Sequence, residues 1–137
     1  MIDFFLGLHS GWRYVVILLT VLLGLYFLYA LRTAKTTAQQ EKRALQLWGM
    51  VIDVQATLGI LLLVSYLVDD RYYNQLTGHW ITALIAVVLA HTPAIYQRLN
   101  GEPPAQIRRI MGLALPILFM VLVIVALSAI KRPLLGS

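Results

Sequence analysis

The chain has 137 residues, of which 60% are hydrophobic and only 12% charged, and its mean hydropathy is +0.78. A soluble domain of this length buries too little of its surface to hide so much apolar material, and the absence of cysteine excludes a disulfide framework, a thiolate metal centre and a cysteine nucleophile. The net charge of +5 sits at the ends of apolar runs, where topology signals lie, so it does not point to nucleic acid.

Four apolar segments reach the ~20 residues that a membrane-spanning helix needs. The first covers residues 4–31. It is too long for the core of a signal peptide and no basic segment precedes it. His9 is followed one turn later by Arg13 on the same face, and Thr20 and Gly24 continue that polar and small stripe. The next loop carries Arg32, Lys35, Lys42 and Arg43. Thr37-Ala38-Gln39-Gln40 within it has the pattern of a capping box, which predicts a second helix that starts ahead of its apolar part. That part covers 47–68. Asp53 lies ~8 Å past Trp48 at 1.5 Å per residue, with Gln55 almost opposite it around the helix.

The third segment, 79–98, opens with His79 and carries His91 ~18 Å further along. Thr92-Pro93 follows, and the proline leaves the Leu89 carbonyl without its usual helical donor. His79, Ala83, Ala86, Ala90 and Pro93 share one face. His91 points roughly 120° away from His79, so these two histidines cannot share a metal ion. Asn100-Gly101 ends the segment, and Pro103-Pro104 forms a turn into the fourth, 110–130, which contains Pro116.

The two odd-numbered loops hold most of the lysine and arginine, including Arg98, Arg108 and Arg109. This predicts cytoplasmic odd loops and both termini outside. Tryptophan and tyrosine cluster near the span ends, as an interfacial belt does. With short connections, the expected architecture is one all-α domain over 1–137, an integral membrane four-helix bundle running up-down-up-down.

Two polar layers follow from counting residues. His9, Arg13 and His79 lie outside; Asp53, His91 and the two prolines lie inside. Neutral imidazole is a good haem-iron ligand, so His9 and His79 can be an axial pair for one haem b, with Arg13 on a propionate. The alternative is two interfacial histidines bonded to water or headgroups. Asp53 and His91 read either as a proton-linked or quinone-binding pair, or as a structural bond between helices two and three. No nucleophile–base pair is present and no catalytic residue is assigned.

Several stretches in order resemble a family of small four-helix bacterial membrane proteins often labelled cytochrome b-like. They are Leu8-His9-Ser10-Gly11-Trp12-Arg13, Asp53-Val54-Gln55 with Leu58-Gly59, Leu89-Ala90-His91 after His79, and Arg132-Pro133-Leu134. The family pattern has Glu-His-Pro where this chain reads Gly78-His79-Trp80, which removes a carboxylate able to orient the histidine. The resemblance implies a multi-pass protein of the bacterial inner membrane. The function expected is a non-catalytic subunit of a respiratory or photosynthetic electron-transfer complex, holding haem b or quinone, with lipid and other membrane subunits as partners. A purely structural accessory subunit is the alternative. A small proton-coupled transporter comes third, because only Asp53 and His91 carry charge into the core.

Overall fold

Long apolar runs with few breakers become long helices. The structure, a computed structural model, describes residues 1–131, so Arg132-Pro133-Leu134 lies outside the described residues. Among these residues are five α-helices and no strand: α1 (Ile2–Thr33), α2 (Ala38–Val68), α3 (Gln75–Ala90), α4 (Thr92–Asn100) and α5 (Ala105–Ala129). Three of them, α1, α2 and α5, are long and apolar enough to cross a membrane, and α3 with α4 makes a fourth if that bent pair is one span.

The local stop and start signals act as their chemistry dictates. Ala34 takes a left-handed conformation (φ 52°) and its N–H closes α1 on the Ala30 carbonyl at 2.9 Å. The capping box of α2 is complete. The Gln40 backbone N–H donates to Thr37 Oγ1, and the Thr37 N–H donates to Gln40 Oε1, each at 3.1 Å. Gly101 ends α4 with φ 78°, and Pro104 precedes the first turn of α5.

The third segment departs from the single helix expected over 79–98. His91 ends α3 and caps α4, and the two pieces are bent by 45°. Pro93 is the physical reason. It has no N–H for the Leu89 carbonyl, and its fixed φ suits the first turn of a new helix.

The helix α1 packs against α2 and α5, and α3 packs against α5, while α2 and α3 touch sparingly. The core joins Phe27 and Ala30 of α1, Trp48 and Ile52 of α2, and Leu115 and Phe119 of α5. Trp48 meets the edge of Phe119 with ring centres 5.5 Å apart. Its indole N–H donates to Thr20 Oγ1 at 2.9 Å, and that hydroxyl donates onward to the Val16 carbonyl at 2.6 Å. Trp12 Nε1–H reaches the Val51 carbonyl at 2.9 Å. Outside this core the helices present leucine, isoleucine and valine; Leu18, Ile60, Leu84 and Ile117 are all more than half exposed. Such a continuous apolar exterior is foreign to soluble monomers.

One charged cluster is buried. Glu41, fully enclosed, accepts from Arg109 Nε at 2.9 Å and from an Arg108 terminal nitrogen at 3.3 Å. Arg109 also reaches the Thr36 carbonyl and Arg108 the Pro103 carbonyl, both at 3.4 Å. The cluster joins the starts of α2 and α5 to the two loops.

At Gly112 a Cβ would overlap the ring of Phe27, a side chain with no exposure. Gly112→Ala is therefore expected to cost about 1–3 kcal/mol through overpacking. Gly49→Ala, with nothing within 4 Å of the added carbon, should be neutral or gain up to about 1 kcal/mol from helix propensity. Thermal unfolding in detergent, followed by helical circular dichroism, distinguishes the two.

Candidate functional site

The starts of α1 and α3 bring His9 and His79 together, as their shared level in the sequence predicts. The ring centres are 6.3 Å apart and the planes are inclined by 80°. Both rings line a cavity of about 350 Å³ that also takes in Arg13, Gln55, Ala83 and Phe119. That volume falls within the ~300–1,000 Å³ typical of small-ligand sites.

Each histidine is held by a different helix. His79 Nδ1 lies 2.8 Å from the Ala126 carbonyl of α5. A carbonyl only accepts, so Nδ1 carries the proton, and in the neutral ring Nε2 keeps its lone pair. His9 is placed by α2. Its Nε2 is 3.4 Å from the Gln55 amide nitrogen, and its Cε1 would be 3.1 Å from a Cβ at Gly59. The missing side chain at position 59 lets the imidazole lie against the α2 backbone. Arg13, buried one turn along α1, donates to Tyr14 Oη at 3.2 Å with its guanidinium carbon 5.1 Å from that ring's centre.

The cavity opens to one side. Its lining includes Ile60 of α2, 62% exposed, and Leu84 of α3, 57% exposed. These two helices barely meet, so the wall between them is incomplete.

Asp53 and His91 form a second group, away from the cavity lining. His91 Nε2 is 3.0 Å from Asp53 Oδ1 and 3.3 Å from Oδ2, while its Nδ1 lies 2.8 Å from the Val87 carbonyl. With Nδ1–H donating to a carbonyl, Nε2 meets the carboxyl favourably only if one proton sits between them, on the ring or on the acid. The pair is open to the exterior, with side chains 54% exposed at Asp53 and 35% at His91. The two expected polar layers do not separate cleanly on α2. Asp53 is two residues from Gln55, about 3 Å along the axis, and Gln55 touches His9.

Sequence reasoning passed over Gln55 as a cavity residue and Glu41 altogether. Gln55 was traceable, since it lies opposite Asp53 and so faces α1 if Asp53 faces away. Glu41 was hidden because cationic loops were read only for orientation. No group of three or more histidine, cysteine or acidic side chains is placed to hold a bare metal ion among the described residues.

Because Asp53 and His91 are partly exposed, their coupling should be small, about 0.6 kcal/mol as for average interhelical bonds in membranes. A double-mutant cycle with Asp53→Asn and His91→Gln, read by thermal unfolding, measures it; a coupling of several kcal/mol would mean the pair is enclosed in an assembly. Comparison of the chain with protein-family models, with curated proteins and with solved structures finds no match.

Proposed function

We propose that this chain is a non-catalytic, membrane-embedded electron-transfer subunit, a four-helix up-down-up-down bundle that holds one b-type haem between His9 and His79. The observation that carries this reading is the spacing of the two rings across one cavity. The ring centres lie 6.3 Å apart, and these two neutral imidazoles are the residues that would hold the haem iron. The Nδ1–H to carbonyl bond of His79 adds support, because metal-binding histidines characteristically donate their other nitrogen in this way. Arg13 offers a buried positive charge to a propionate. When bound, haem supplies one-electron chemistry; the protein orients the two imidazoles and encloses them in apolar side chains. The order of motifs that resembles cytochrome b-like proteins points the same way.

A structural accessory subunit is the second reading, favoured by the Gln55–His9 contact, which gives Nε2 of that ring a protein partner without a cofactor. A quinone is the alternative occupant. Protein purified after expression with ample haem decides among them. The haem reading expects a Soret band and a low-spin ferrous spectrum, lost in both His9→Ala and His79→Ala and kept in His91→Ala. Without a Soret band the haem role fails; an extractable quinone in its place would assign the cavity to quinone, and neither would leave the structural role.

The absence of cysteine allows clean labelling. In intact bacteria, Asp70→Cys should react with an impermeant maleimide, and Lys35→Cys only after lysis. Reaction of Lys35→Cys from outside would overturn the orientation.

A further inference from the structure

At the opposite end from the histidines, the end of α1 and the start of α2 enclose a shallow cavity of about 560 Å³. It is lined by Tyr26, Tyr29, Lys35, Thr36, Gln40 and Arg43. Its two cations have no acidic partner of their own. Of the six acidic residues, Asp3, Asp53, Asp69 and Asp70 lie elsewhere along the chain, Glu41 is taken up by Arg108 and Arg109, and Glu102 by Lys42. Lys35 and Arg43 therefore face the cavity with no acid paired to them among the described residues.

Behind the two cations, the Tyr26 and Thr36 hydroxyls lie buried beside one another. The first turn of α2 adds the positive end of a 31-residue helix. Two cations without acidic partners, beside a helix start, make a site for an anion with several oxygens.

Its flanks decide what carries that anion. Leu25 and Tyr29 of α1 and Leu47 of α2, which border the cavity along the chain, are each at least half exposed. A free phosphate has no use for such a border, whereas acyl chains do. Basic pockets at the cytoplasmic side of transmembrane helices are where anionic lipid headgroups dock.

We infer that this cavity binds the phosphate headgroup of an anionic phospholipid, with Lys35 and Arg43 as its charged ligands and the apolar sides of α1 and α2 along its acyl chains. The inference rests on the membrane reading above but not on the haem. Native mass spectrometry of the full chain, released from micelles containing equal phosphatidylglycerol and phosphatidylcholine, tests it. One phosphatidylglycerol should be retained in preference to phosphatidylcholine, and the preference should fall at least about ten-fold in the Lys35→Gln/Arg43→Gln double variant. Lys42→Gln and Arg98→Gln, changed together as a control of equal charge, should keep it. Equal retention of both lipids by the unaltered chain, or unchanged preference in the Lys35/Arg43 variant, overturns the inference. Displacement of the lipid by millimolar inorganic phosphate would assign the site to a free anion instead and overturn the lipid assignment. A thermal-unfolding profile for each variant confirms that it is folded, and the maleimide labelling above tests membrane orientation separately.

Discussion

Glu41 is the constraint on which the helix register depends. A carboxylate with no exposure is tolerable only where its charge and lone pairs are matched, because removing one partner of a buried pair costs about 3–5 kcal/mol. Two guanidiniums from the start of α5 supply that match, and they reach on to the carbonyls of Thr36 and Pro103. Since α2 and α5 otherwise meet little, this cluster fixes where one begins relative to the other. At the far end, the His79–Ala126 bond aligns α3 with α5, and Trp12–Val51 aligns α1 with α2. With Trp48–Thr20, Gln55–His9 and Asp53–His91, these polar ties set the register of helices that otherwise meet through apolar side chains.

The same economy explains the interior. Thr20, fully buried, is used twice, receiving from Trp48 and donating to its own helix, and His79 is tied through Nδ1 to the Ala126 carbonyl. Buried polar groups that are fully satisfied specify one arrangement over its neighbours. The large rings then pack in the gaps, with Phe27 admitted by the bare backbone of Gly112.

Much of this was legible in the amino-acid order, and the misses share one cause. Helix existence followed from apolar length, and both ends of the first connection followed from Thr37 and Gln40, since these are local properties. The meeting of His9 and His79 followed from their equal distance from the span ends. Counting along α2 brought Asp53 to the level of His91, which it meets at 3.0 Å, but it could not show that Gln55, two residues on, reaches His9. The break at His91 was signalled by Pro93, but the 45° bend depends on packing that no local pattern encodes. The Glu41 cluster joins residues 67 and 68 positions apart, and nothing in a single sequence marks such a pairing in advance.

The incomplete wall between α2 and α3 has a consequence for how the histidine cavity is filled. The gap is flanked by the exposed aliphatic side chains of Ile60 and Leu84. On the membrane reading proposed above, a molecule entering there would come from the lipid phase, and its arrival would follow its partition into that phase rather than its concentration in water.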